Sequence, residues 1–415
     1  METLPLPPEP APLPPAPVSA RRQVLAAYDR IAEAGRSELW NTLRPCEDVL
    51  VEAKAVDERV RAGESLPLAG LLAVVTGALD PTAAAARRLI EAGAVTLGEA
   101  AQLAVALDLA DIAIGTGAVA GIGVAGLSPT PGLVPGTGVL APGRISVFAR
   151  TIADGQRALA AVTATDPGDP GSRAWPSSVR LSAGERPRVA IPGETGAPAF
   201  RTAVDDLLAT GATVETVGRT AGIPAGYDAL LLPGARHGDF AGLPAATVRG
   251  VTVVARPFED QVALDLAAYL NAEQLRNPYP GTGVDLVVFG AHLRGQPLNP
   301  RLVELGARFR EQVRTAGRYR MVALPTSPPE PGILPAAEGA PLTGERWTIS
   351  PAGFDGFRVG VPGPMTLGEI ELEDGTTAAG FPCAPPGAAG ARDITEFGDW
   401  RAYLRHLTAT RPMSG

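Results

Sequence analysis

Lysine is nearly missing from this chain: of 36 basic side chains in 415 residues only Lys54 is a lysine, so chemistry that needs an amine has one residue to draw on. No Gly-Lys pair occurs, which excludes the phosphate-cradling loop that requires Gly-Lys-Ser/Thr. The 2 cysteines, Cys46 and Cys383, allow at most one disulfide and cannot build a four-cysteine zinc site. The 3 histidines, His237, His292 and His406, are far apart and show no His-x-x-x-His spacing. The expectation is no protein-built metal site and no cofactor. A net charge of −8 with scattered arginines leaves no basic stripe, which excludes binding to nucleic acid by phosphate neutralisation.

What is present suits a folded chain of two domains, three at most. Hydrophobic content of 45% is enough for sizeable cores, and 49 Gly with 42 Pro make the chain loop-rich without reaching the level of a disordered polymer. Residues 1–18 carry 8 prolines and no apolar core, so they read as a disordered Pro-rich tail and exclude a signal peptide. Such a tail either docks an SH3-like groove as polyproline II or is a solvated leader. The default compartment is the cytoplasm. The apolar run 66–79 is too short to span a bilayer, and 112–127 is Gly-heavy and follows Asp108 and Asp111. It is expected to be a buried strand with a packed helical segment, not a membrane span. Within it Gly115, Gly117 and Gly121 miss the dinucleotide fingerprint by one position, and the next carboxylate, Asp154, is too distant for a ribose contact.

Apolar periodicity predicts two helices within 19–61 around Arg44-Pro45, with Lys54 on a solvated face. Strands are predicted at 188–192, 213–217, 227–232 and 251–255 with a helix over 197–210, which implies a mixed or parallel sheet with helices on both faces. The breaker at 277–283 begins a β-rich part, with strands at 285–289, 319–323 and 345–349 and a hairpin of 368–372 with 377–381. A helix is predicted over 299–312, capped by Asn299 with Pro300 at its first position, and another through 400–407.

Several segments together resemble the amidase signature family. They include Leu66-Pro67-Leu68-Ala69-Gly70, the run from Asp111 to Thr116, and Ser146-Val147-Phe148-Ala149-Arg150-Thr151. Asp166-Pro167-Gly168-Asp169 and Ala255-Arg256-Pro257-Phe258-Glu259-Asp260 are similar to its allophanate hydrolase branch. Phe289-Gly290-Ala291-His292-Leu293-Arg294-Gly295-Gln296, Gly380-Phe381-Pro382-Cys383 and Trp400-Arg401-Ala402-Tyr403-Leu404 resemble that branch's small C-terminal domain. The resemblance implies an α/β fold: a reduced amidase-signature domain at 19–280, a mixed sheet flanked by helices, followed by a small β-rich α+β domain at 281–415.

Amidase signature enzymes use a Lys-Ser-Ser triad, and here the three positions are empty. Thr76 aligns with the lysine, the segment carrying the bridging serine is absent after Gly98, and 116–121 holds no serine. Ser128 is expected in a loop. Covalent amide hydrolysis requires an activated nucleophile, so the first domain reads as a pseudo-amidase.

The second domain keeps its motif. The loop after 287–289 also looks like the ligand-holding loop of the γ-glutamyl cyclotransferase-like fold, in which glycines let backbone N–H groups approach an anion. The histidine matching His292 is, in allophanate hydrolases, tied to decarboxylating N-carboxycarbamate, and an imidazole of near-neutral pKa suits that proton transfer. The resemblance therefore implies His292 as the catalytic residue, with Gly290, Ala291 and Gly295 as backbone donors and Arg294 or Arg320 paired with a carboxylate of a small carbamate-like ligand. By residue type alone His292 reads first as a structural histidine at a strand end, and its place in the matched motif brings the two readings level. Asn299 is read as a cap, Glu345 as a strand-surface carboxylate or a pocket acid, and His237 and His406 as surface residues. The alternative is a non-catalytic scaffold, a homodimer or a partner of an active amidase or urea carboxylase.

Overall fold

Leu72 and Val74 pack into one hydrophobic cluster while their neighbours Ala73 and Val75 pack into another, as in a strand covered on both faces. The computed structural model describes residues 19–410 apart from 118–122, 141–142, 194–195, 219, 221, 236–239 and 327–329, so the Pro-rich tail and His237 lie outside the described residues. In its first part the helices are α1 (Ala20–Ala34), α2 (Cys46–Arg61), α3 (Ala84–Glu91), α4 (Leu103–Ala106), α5 (Ile152–Val162), α6 (Pro198–Ala209) and α7 (Asp260–Leu270). The strands are β1 (Trp40–Leu43), β2 (Leu72–Thr76), β3 (Val95–Ala100), β4 (Ile112–Thr116), β5 (Ala125–Ser128), β6 (Ile145–Ala149), β7 (Arg188–Pro192), β8 (Thr213–Val217), β9 (Ala229–Pro233), β10 (Ala245–Val248) and β11 (Val251–Val254).

All 11 strands join one sheet in the order β1-β3-β2-β4-β6-β5-β10-β11-β9-β7-β8. It is mixed: β2 runs parallel to β3 and β4, and β7 parallel to β8 and β9, with antiparallel strands between. Helices α1, α2 and α4 cover one face and α3, α5, α6 and α7 the other. The first helix is started from a distance. Asp57 of α2 accepts from Ser19 Oγ at 2.6 Å and Ala20 N at 2.7 Å, so it satisfies orphan donors that no residue of α1 caps. Asp57→Ala is expected to cost about 1 kcal/mol, as loss of a helix cap does, read as a lower thermal denaturation midpoint.

The second part contains α8 (Asn299–Glu304), α9 (Pro351–Val359), α10 (Trp400–Thr410), β12 (Val284–Val288), β13 (Arg308–Arg314), β14 (Tyr319–Leu324), β15 (Glu330–Pro335), β16 (Thr343–Ile349), β17 (Gly368–Glu371), β18 (Thr377–Gly380) and β19 (Arg392–Asp393). Its strands form a five-stranded sheet, β13-β16-β12-β18-β17, and a three-stranded one, β15-β14-β19, around a core that includes Trp347, Phe357 and Trp400.

Four expectations are corrected. The connection between the first two helices contains β1, which pairs with β3. The run expected to hold a strand and a helical segment begins with β4 and ends in a second strand, β5, both antiparallel to β6, with 118–122 outside the described residues. Ser128 ends β5 instead of lying in a loop, buried with its hydroxyl 2.7 Å from that of Ser146. Finally, the predicted helix over 299–312 ends at Glu304. Gly306 takes a left-handed φ of 70° where a Cβ would crowd Arg180, and the chain reverses into β13.

Candidate functional site

β12 delivers the chain into a single 3-10 turn, Gly290–His292. Gly290 has a φ of 74°, and a Cβ there would overlap the ring of Pro331 on β15, so the close approach of these backbones requires glycine. Hydrogen bonds then fold the loop back on itself: Leu298 N donates to Ala291 O at 2.9 Å and Gln296 N to Leu293 O at 2.9 Å. Leu293 is fully buried as its anchor.

Two polar side chains fasten this loop. Asn299 donates from Nδ2 to His292 O at 3.0 Å, so its side chain holds the histidine's backbone. The cap position itself is Leu298, which corrects the reading of Asn299 as a cap. Glu345 is buried at 3% exposure on β16. Its Oε2 accepts from Arg294 N at 2.9 Å and its Oε1 lies 3.2 Å from Arg401. It is therefore neither a surface carboxylate nor a pocket acid: it is enclosed beneath the loop and uses both oxygens to hold it.

His292 lines a cavity of about 290 Å³ with Phe289, Arg301, Glu330, Phe357 and Phe381. The ring stands edge-on to Phe357, with centroids 4.9 Å apart, and its Nε2 is buried with no partner among the described residues. Burial, and then the nearby Arg301 guanidinium, push its pKa down from 6.5 to about 4. The imidazole is therefore neutral at pH 7, which corrects the expectation of a near-neutral pKa.

Arg301 comes from α8 and is fixed by the C-terminal end of α9. Its Nη1 donates to Gly360 O at 2.9 Å and its Nη2 to Gly356 O and Phe357 O, each at 3.1 Å. No carboxylate among the described residues lies within ion-pair distance of it, and the helix end offsets only about half a charge.

Of the expected residues Ala291 and His292 line the cavity, Gly290 is buried against Pro331 beside it, and the others lie elsewhere. The Arg294 guanidinium lies 3.2 Å from Glu185 and stacks over Phe309, in a separate cavity of about 500 Å³ where the two parts of the chain meet. Arg320, on β14, pairs with Asp393. Gly295, at φ 77°, shapes the loop next to open space. His406 is exposed on α10.

Lys54 is also far from any site, 67% exposed on α2 beside Glu58, whereas Thr76 is buried at the end of β2. Among the described residues no cluster of His, Cys, Asp and Glu could hold a metal, and no helix is long and apolar enough to cross a membrane.

A large mixed sheet clothed by helices on both faces is the fold of amidase-signature enzymes. A bacterial aryl acylamidase of that family superposes with a TM-score of 0.52 at 14% identity, over 61% of this chain and 93% of its own. With the small β-rich part added, the fold is that of allophanate hydrolase: the Kluyveromyces lactis enzyme superposes with a TM-score of 0.72 at 20% identity, over 94% of this chain and 98% of its own. Residues 284–405 match the allophanate hydrolase C-terminal domain, so the chain is allophanate hydrolase-like in fold throughout and in sequence across the small part. The urea amidolyase of Saccharomyces cerevisiae is 31% identical over 209 residues, 43% of this chain but only 11% of the relative's length. A vestigial protein complex connected with the origins of an s-triazine catabolic enzyme shares the fold at a TM-score of 0.51 and 20% identity, over 61% of this chain and 95% of its own.

Proposed function

We propose that this is an allophanate hydrolase-like protein of urea and amide nitrogen metabolism whose small domain, 281–415, binds an N-carboxycarbamate-type anion at His292 and assists its decarboxylation. The observation that carries the reading is the orphaned Nε2 of His292, buried at the wall of a cavity that also presents the Arg301 cation. An unsatisfied buried polar atom costs about 1–3 kcal/mol, and a ligand that hydrogen-bonds it recovers that cost.

In the reaction, HN(CO₂⁻)₂ loses CO₂ as one C–N bond breaks. The electron pair of that bond stays on nitrogen, which takes a proton to give carbamate. A neutral imidazole is a poor proton donor, but a bound dianion offsets the Arg301 charge and favours protonation of His292 from solvent. The imidazolium then delivers its proton to nitrogen, with Gly290 and Ala291 shaping the loop beside the anion and Arg301 supplying the cation.

The first domain, 19–280, is proposed to lack amidase activity, because no lysine accompanies the buried Thr76 or the Ser128–Ser146 pair. The chain alone is therefore expected to release no ammonia from allophanate. Supplied with an amidase that converts allophanate to N-carboxycarbamate, it is expected to accelerate CO₂ release, and His292→Ala should lower that acceleration by about 10²–10⁴-fold, as loss of a positioned proton-transfer group does. Equal release with the variant would overturn the catalytic role.

The second reading is a scaffold, either a homodimer or a chain paired with an active allophanate hydrolase or urea carboxylase. It rests on the missing lysine and requires that His292→Ala leave any stimulation of the partner intact.

A further inference from the structure

The cavity at His292 is larger and more apolar than an unsubstituted N-carboxycarbamate requires. That anion has about seven non-hydrogen atoms and almost no apolar surface, whereas a cavity of about 290 Å³ approaches the range that holds drug-sized ligands. Its walls are formed largely by Phe289, Ile333, Phe357, Met365 and Phe381, and the polar groups are confined to His292, Arg301 and Glu330. Leu298, 43% exposed, extends the apolar lining outward. A small dianion seated by the cation would leave the aromatic wall facing water, with no hydrophobic gain from most of the site.

We propose, resting on the reading of His292 as the ligand site, that this cavity takes a substituted carbamate-type carboxylate: an anionic head against His292 and Arg301 that carries an aryl or branched alkyl group packed on Phe381 and Met365. The division of the lining matches the two halves of such a ligand. Arg301 has no carboxylate partner among the described residues, and the orphaned His292 Nε2 lacks a hydrogen-bond partner, so both receive the head. Phe381 and Met365, both half-buried, offer the apolar surface to the substituent, with Phe381 backed by the buried Phe357 at a ring-centroid distance of 5.8 Å. The charged end is fixed by Arg301 because the guanidinium is itself held by three carbonyls of α9 and its following turn.

The test uses stable analogues on the full chain. Malonate replaces the nitrogen of N-carboxycarbamate with a methylene group, and benzylmalonate adds an aromatic group to the same head. Calorimetric titration is expected to show benzylmalonate binding at least about tenfold more tightly than malonate, since burial of apolar area adds to an unchanged head contact. Phe381→Ala and, as a milder change, Met365→Ala should each shrink that preference while leaving malonate affinity in place, with thermal melts reporting that the variants fold. Malonate binding with equal or weaker binding of benzylmalonate would overturn the inference and leave the ligand site at His292 standing. A preference that persists in both variants would place the aromatic group elsewhere and overturn it as well. If neither compound binds, the reading of His292 as an anion site falls, and the inference falls with it.

Discussion

Asp265→Asn is expected to destabilise the folded chain by about 3–5 kcal/mol, the cost of leaving one member of a buried ion pair without its partner. Asp265 on α7 and Arg308 on β13 have side chains only 6% and 10% exposed, with Arg308 Nη1 2.9 and 3.0 Å from the two carboxylate oxygens. Each is satisfied further: Asp265 accepts from Gln261 Nε2 at 2.7 Å and Ala183 N at 2.9 Å, while Arg308 donates to Leu181 O at 3.2 Å and to Leu275 O. The pair therefore ties the large sheet's helical layer to the small part through the segment around 181–183. Arg308→Met should cost a similar amount by stranding the carboxylate. The double variant Arg308→Met with Asp265→Leu should recover part of the loss, because no uncompensated charge remains buried. Urea denaturation of the four proteins checks this. A double variant no more stable than Arg308→Met alone would show that the stranded carboxylate is not what destabilises the joint.

Much of the fold is legible where apolar spacing is local. The strand predicted at 188–192, the helix over 197–210 and the strand at 213–217 emerge within a residue of β7, α6 and β8, because α6 buries the regular stripe Phe200, Ala203 and Leu207 and short apolar runs flank it on both sides. Residues 299–312 misled because Leu302, Leu305 and Phe309 fit a helical stripe. The signal against it was Gly306, and β13 itself carries no clean alternation, since its pairing with β16 is irregular between Phe309 and Glu311. Glu345 stands two residues before the core residue Trp347 on one strand, so period-two spacing already placed its carboxylate on the buried face. Helix α9 begins with Ser350 as cap and Pro351 at its first position, and Ser350 Oγ accepts from Gly353 N at 3.2 Å. That signal was present in the sequence as well.

Arg301 could not have been found in this way. Its place in the cavity depends on carbonyls 55 to 59 residues away, and local spacing carries no information about them. The same holds for the lowered pKa of His292, whose causes are tertiary burial and that arginine. Arg294 and Arg320 were attractive because their charge suits an anion, but nearby carboxylates, Glu185 and Asp393, already engage both.

The unusual protonation of His292 should also be visible in stability, although in the wild-type chain it is masked. In the unfolded chain the imidazole takes a proton near 6.5, whereas in the folded chain it does so only near 4. Acidification from 6.5 to 4 therefore favours unfolding, by up to about 3 kcal/mol at about 1.4 kcal/mol per pH unit. Asp260 works in the opposite direction. It is buried at the start of α7, and burial raises its pKa from 3.8 to about 6 although Thr130 donates to both carboxylate oxygens, at 2.7 and 2.6 Å. The folded chain then takes this proton before the unfolded one, so the fold gains up to about 3 kcal/mol as pH falls from 6 to 4. The two contributions nearly cancel in the wild type. His292→Phe should remove the destabilising one, so that its stability relative to wild type rises by about 2–3 kcal/mol between pH 6.5 and 4.5. Asp260→Asn should show the reverse trend relative to wild type across the same window. Urea midpoints measured at half-unit pH steps check both. Curves for the variants that run parallel to wild type would mean that neither group titrates abnormally, and the lowered pKa of the cavity imidazole would have to be abandoned.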